Sequence, residues 1–147
     1  MRILLLTIIS LMCIHVKAQT IINYTTADGL VDNFVECIDY NAIQGELWIG
    51  TSMGIQNTTQ QATNWYSWNQ ANYPDIVSDN IKCIKAASNG IWIGTDYGVN
   101  HCVDPFLSPG VPGGTWTAYT TSNGLVNNQV KSIDEDASGG IWIGTTQ

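Results

Sequence analysis

The chain is short of positive charge. Its 147 residues hold five Lys or Arg against twelve Asp or Glu. Nucleic-acid binding rests on basic side chains that neutralise phosphate, so this balance excludes that class of partner. The same charge works against an anionic membrane surface and is compatible with neutral ligands such as sugars. Histidine is as scarce, with His15 and His101 alone. No CxxC, HExxH or glycine-rich phosphate loop occurs, so no metal and no cofactor are expected. After residue 18 no long apolar run remains, and a membrane helix needs about 20 such residues.

The first 18 residues differ from the rest. Arg2 gives a positive start, Ile3 to Ile14 is an almost unbroken apolar stretch, and Val16-Lys17-Ala18 has the small-x-small pattern of a cleavage site. This is the pattern of a secretory signal peptide cut before Gln19. The remaining stretch, 19–147, is the length of one ordinary domain. It keeps three lysines, Lys82, Lys85 and Lys131, and all twelve acids. It also keeps three cysteines, Cys37, Cys83 and Cys102, an odd number that leaves at least one thiol unpaired.

What is present is a repeat. The phrase Trp-Ile-Gly-Thr recurs at Trp48, Trp92 and Trp142, spaced by 44 and then 50 residues. Upstream of it, the columns Leu30/Ile76/Leu125, Val31/Val77/Val126, Val35/Ile81/Val130 and Ile38/Ile84/Ile133 also agree. Apolar residues three apart in "VECI", "IKCI" and "VKSI" would suit a helix. The runs are short, β-branched and bounded by Gly, Asn, Asp and Ser, which makes them strands. Each unit is expected to hold a first strand (35–39, 81–85, 130–134), a hairpin turn and the apolar Trp-Ile-Gly-Thr strand. After a turn glycine (Gly54, Gly98) comes a third strand, then an aromatic fourth (65–68, 116–119). Residues 104–114 carry three prolines and three glycines and read as a loop.

Four strands in 40–50 residues make a propeller blade. The expected fold is all-β: about three four-stranded blades, the last incomplete, with repeats near 22–56, 65–100 and 116–147. A blade cannot cover its own two faces, so its neighbours do. The tryptophans Trp48, Trp92 and Trp142 are assigned to the core between blades. The glycines Gly50, Gly94 and Gly144 share a strand face with them and are expected to leave room for aromatic surface of a neighbouring blade. "IINYTT" matches a blade's outer strand. At about 45 residues per blade and at least four blades, residues 19–147 do not close a ring. The expectation is a piece of a larger propeller, with missing blades or further copies of the chain to close it.

The pattern Gly-Leu-x-x-Asn-x-Val-x-x-Ile-x-x-Asp, then Gly-x-(Leu/Ile)-Trp-Ile-Gly-Thr-x-x-Gly, resembles the two-component regulator propeller repeat. The third copy fits best (Gly124, Leu125, Asn128, Val130, Ile133, Asp136, Gly140 to Thr145). The second departs most, with Asp75 and Asp79 in place of the glycine and asparagine. The resemblance implies a periplasmic or extracellular sensor segment of a bacterial two-component regulator, recognising a ligand, with glycan-derived molecules the expected class. A secreted interaction or adhesion protein, and a propeller-type polysaccharide lyase or hydrolase, are the alternatives.

Candidate binding residues follow from the propeller's form. Ligands of such folds meet loops at one end of the central channel, and the loops entering the innermost strands carry Asn33, Asp79 and Asn128. Capping of turns by these side chains is the rival role. Tyr73 and Tyr97 lie in turn-like segments and are the surface aromatics that could stack on a sugar. Asp134, Asp136 and Ser138 alternate like the start of a calcium loop, but no glutamate follows and the segment lies between strands, so it reads as a turn. Cys37, Cys83 and Ser132 share one column, which calls for a small side chain and not for a disulfide. His101 and Cys102 are strand neighbours pointing to opposite faces, so no Cys–His nucleophile pair forms. No catalytic residues are assigned and an enzyme is not expected.

Overall fold

The structure is a computed structural model, and it describes residues 21–42, 44–59, 64–108 and 111–146. The proposed signal peptide lies outside them. Strands β1 (Val35–Asn41), β2 (Glu46–Thr51), β3 (Gly54–Thr59) and β4 (Trp65–Trp68) form the first antiparallel meander, in that order. The second holds β5 (Ile81–Ala87), β6 (Gly90–Thr95), β7 (Val99–Val103) and, after an insertion, β10 (Thr115–Tyr119). The third, among the described residues, is the hairpin of β11 (Val130–Glu135) and β12 (Ile141–Thr145). Blades 1 and 2 meet mainly through β1 and β5, and blades 2 and 3 through β5 and β11. The described residues do not close a ring.

The helix-like spacing of Val35 and Ile38 has a strand explanation. Each first strand has the same irregularity, between Val35 and Cys37, Ile81 and Cys83, and Val130 and Ser132. One extra residue (Glu36, Lys82, Lys131) bulges out of the pairing. A bulge shifts the alternation by one, so residues three apart land on the same face. Val35 pairs with Thr51 and Ile38 with Ile49, both on the blade's leading face. Cys37 pairs with Gly50 on the trailing face, where Trp48 also lies.

The blades interlock by a knob and a notch. A Cβ on Gly50 would sit 2.6 Å from Ile81 Cγ2 of blade 2, and one on Gly94 would sit 2.5 Å from Val130 Cγ1 of blade 3. The space at the glycine is thus filled by a β-branched aliphatic side chain from the next blade, not by an aromatic. Cys37 and Cys83 flank the same notches with their sulfurs, which is why the column demands a small residue. Burial pushes the Cys37 thiol up to about 12 and the Cys83 thiol up to about 11, so both stay protonated at neutral pH.

Trp48 and Trp92 are buried as expected, each against its own outer strand and the following blade. Trp48 packs on Trp68 at 5.2 Å; Trp92 stacks on His101 at 4.0 Å and on Tyr119 at 5.7 Å. Trp142 departs from the expectation and is 68 % exposed. Nothing among the described residues covers the trailing face of blade 3.

Two other segments differ from the sequence reading. Residues 104–114 are not simply a loop, since β8 (Phe106–Ser108) and β9 (Val111–Pro112) pair within them. Phe106 wedges against Trp48, Tyr66 and Trp68, and the Trp68 indole donates to the Gly113 carbonyl at 3.1 Å. The insertion therefore fills the outer part of the wedge between blades 1 and 2, which the apolar side of Phe106 favours. Residues 21–25 form no strand. An outer strand needs a partner edge of its own sheet, and none lies beside them among the described residues.

Candidate functional site

The loops entering the first strands are tied down by side-chain oxygens of Asn or Asp. Asn33 Oδ1 accepts the Thr26 N–H at 2.9 Å, Asn128 Oδ1 accepts that of Thr121 at 2.7 Å, and Asp79 Oδ1 accepts that of Gln70 at 2.7 Å. The family-motif asparagine and its replacement Asp79 thus do one job in all three units: they close the entry turn. A second set was not legible in sequence. Gln56, buried on β3, accepts the Val31 N–H (2.7 Å) and donates to the Gly29 carbonyl (3.1 Å). Asn100, buried at the matching place on β7, accepts from Val77 (2.8 Å) and donates to the Asp75 carbonyl (2.9 Å). The available signal was a polar residue directly after the Gly-(Ile/Val) that opens the third strand.

Threonine of the repeated phrase has a similar local task. Thr51 and Thr95 are buried, donate to the Gly54 and Gly98 carbonyls, and accept the N–H of Met53 and Tyr97. Gly54 (φ 123) and Gly98 (φ 138) supply the left-handed backbone these turns require. Tyr97 is exposed at the tip of the β6–β7 turn, on the same end of the blades as the entry loops. Tyr73 is half-buried and packs 6.2 Å from Trp116, at the edge of the core between blades 1 and 2.

The innermost strands carry alternating charges. Lys82 pairs with Glu36 of the preceding blade at 3.3 Å. Lys85 lies between Asp134 (3.1 Å) and Asp39 (4.0 Å), one from each neighbour. The Asp134 hydrogen bond raises Lys85, and Lys85 in turn lowers Asp134. Lys131 reaches Asp96 at 3.7 Å. The bulged residues Glu36, Lys82 and Lys131 are thus redirected into contacts between blades, a known use of a bulge.

A cavity lies at the opposite end. It occupies about 330 Å³ between the β1–β2 and β5–β6 hairpins and the chain leaving β7. Asn41, Gln44, Ser88, Asn89 and Asp104 supply polar groups, and Ile91, Val103 and Pro105 supply apolar surface. Asn89 is held rigidly, its side-chain oxygen accepting the Trp92 indole N–H at 2.8 Å. Ser88 is anchored by Glu135 of blade 3. Asp104 has φ 48, a backbone conformation that costs energy for a residue with a side chain. A concave site with a few fixed polar groups on apolar surface suits a small neutral molecule. None of Asn33, Asp79, Asn128, Tyr73 and Tyr97 lines this cavity. Sequence reading passed over its residues because they sit in ordinary turn composition.

The cysteine, histidine and carboxylates singled out in the sequence each have other partners. Cys102 is buried on the face opposite His101, and burial pushes its thiol up to about 12. His101 is engaged with Trp92 and lies 3.0 Å from the Asn89 carbonyl. Asp134 turns to Lys85, while Asp136 accepts from Ser138, Gly140 and Trp142 and closes its own turn. Among the described residues no three His, Cys, Asp or Glu side chains converge on one point, and no helix is long and apolar enough to cross a membrane.

Comparison with known proteins agrees with the fold. No curated protein matches the chain. Among solved structures, it is similar to the extracellular domain described as that of a hybrid two component system, BT3049, from B. thetaiotaomicron. The identity is 28 % and the TM-score 0.66, over 87 % of this chain. The match spans 17 % of that domain's length. The corresponding domain of BT4673 from the same organism aligns at 16 % identity with a TM-score of 0.32, too distant to carry an argument. Residues 124–147, the third repeat, match the family described as Two component regulator propeller, and the blades are those of a β-propeller.

Proposed function

We propose that the chain is a non-catalytic, extracytoplasmic propeller segment of a two-component type sensor, exported by its N-terminal signal peptide to the periplasm or cell surface. Its ligand in this reading is a small neutral polar molecule of the glycan-fragment class. The observation that carries the reading is the similarity to an extracellular sensor domain at 28 % identity. The cavity between the first two hairpins supports the ligand class, because its amides, its hydroxyl and the Asp104 carboxylate can exchange hydrogen bonds with the hydroxyl groups of a neutral ligand. A charged ligand would find the acidic surface unfavourable if anionic.

The test is calorimetric titration of the purified protein with a panel of neutral oligosaccharides. One class should bind, and Asn41→Ala or Asp104→Asn should weaken it at least about tenfold, the loss of one or two hydrogen bonds. Binding that these changes leave intact, while Asn33→Ala or Tyr97→Ala abolishes it, would move the site to the entry-loop end. Absence of binding across the panel would remove the glycan reading.

A further inference from the structure

The polar groups of the cavity between blades 1 and 2 have a fixed sense. The Ser88 hydroxyl donates its proton to Glu135 of blade 3, so toward the cavity it offers lone pairs only. The side-chain oxygens of Gln44 and Asn89 are already engaged, by the Asn41 amide at 2.9 Å and the Trp92 indole at 2.8 Å. Their NH2 groups remain as donors. Asp104 differs from these three. It holds φ 48, a costly backbone conformation for a residue with a side chain. Among the described residues its carboxylate has neither an ion pair nor a hydrogen bond. No Lys, Arg or His is among the described residues that line the cavity, and Glu135 stands directly behind Ser88. The cavity thus carries one open negative charge, a second one hydrogen bond away, and no cation.

We propose that this cavity is a subsite for a single neutral sugar ring, and that Asp104 is the residue that shuts out the acidic counterpart of that ring. The proposal rests on the glycan reading above. A hydroxyl both donates and accepts, so a hexose can give protons to Asp104 and Ser88 and accept those of Gln44 and Asn89. The apolar surface of Ile91, Val103 and Pro105 is left for its C–H faces. At about 330 Å³ the cavity is at the small end of ligand sites, a size for a ring and not for a chain. A hexuronic acid has the same ring with a carboxylate in place of the CH2OH group. Its charge meets Asp104 without a counter-ion, and an unpaired like charge is a means of rejecting a near-identical ligand. The overall acidity of the chain acts from a distance and is screened by salt, whereas Asp104 acts at contact.

The experiment follows the amide resonances of the protein during titration with matched pairs: glucose and glucuronate, galactose and galacturonate, mannose and mannuronate. At least one hexose should shift the Asn89 and Gln44 side-chain resonances and bind about tenfold or more tighter than its acid. Asp104→Asn removes the charge and keeps a residue that tolerates the left-handed backbone. It should weaken the hexose and strengthen the uronate, opposite effects that a merely structural change does not produce. Asp75→Asn, in the entry loop at the other end of blade 2, makes the same change in net charge and should alter neither. A pair bound equally by the wild-type protein overturns the proposal and leaves the glycan reading standing. So does a uronate that gains as much from Asp75→Asn as from Asp104→Asn, or a hexose that binds without moving the Asn89 and Gln44 resonances. Binding of oligosaccharides but of no single ring also overturns it. Failure of rings and oligosaccharides alike removes the glycan reading itself.

Discussion

Blades 2 and 3 carry the same tryptophan phrase in different surroundings. In blade 2, Trp92 lies between its own His101 and Tyr119 and the apolar face of blade 3. In blade 3, Trp142 keeps one hydrogen bond, to Asp136 at 2.8 Å, and is otherwise open. The identical residue is core in one place and surface in the other, because a blade's second strand is only half-covered by its own sheet. The burial of the phrase comes from the outer strands of its own blade together with the following blade, and not from the strand itself.

The comparison can be broken most strongly at the tryptophans. Trp92→Ala should cost about 3–5 kcal/mol in urea denaturation, as for a large core aromatic. Trp142→Ala should cost below about 1 kcal/mol under the same conditions, as for a surface residue. Equal losses would mean that burial does not distinguish the two blades. Next come the notches. Gly94→Val drives a side chain into Cys83 and Val130 and should cost about 3 kcal/mol, while Gly144→Val meets one rotatable hydroxyl and should cost about 1 kcal/mol.

The buried amide should come third. Asn100→Ala orphans the Val77 N–H and the Asp75 carbonyl, for about 2 kcal/mol. Asn128→Ala loses one exposed turn bond and should cost below about 1 kcal/mol. The smallest effect sharpens the contrast by pH. The Trp92 indole donates to a neutral amide, Asn89, and the Trp142 indole to a carboxylate. Hydrogen bonds from Ser138, Trp142 and Gly140 hold Asp136 well below the usual carboxylate range. A lowered folded value gives stability that is full above the unfolded value near about 4 and is lost as pH falls through the folded one. In acid, the Trp142 indole N–H resonance should therefore shift while that of Trp92 stays put. Asp136→Asn should remove the difference.

Much of this was legible because repetition gives each residue three trials. The column Val35/Ile81/Val130 reveals a buried β-branched position even where one member is exposed. The column Cys37/Cys83/Ser132 announces a tight spot without saying what crowds it. Segments that occur once escaped. Phe106 sits among prolines and glycines, and only its docking on Trp48 and Trp68 shows that the insertion belongs to the core. The bulge escaped for a different reason: it looks like helical spacing until the pairing register is known. The cavity residues Asn41, Ser88 and Asn89 have the composition of any turn, and their convergence depends on how two hairpins lie side by side.

By itself, the sequence determined the repeat, the strand order within each blade and the turns, since these follow from local periodicity and turn chemistry over a few residues. The tertiary structure decided which side fills each glycine notch, which tryptophan is covered and where a cavity opens. Those outcomes depend on contact between blades about 45 residues apart, and no local pattern encodes whether the neighbouring face is present.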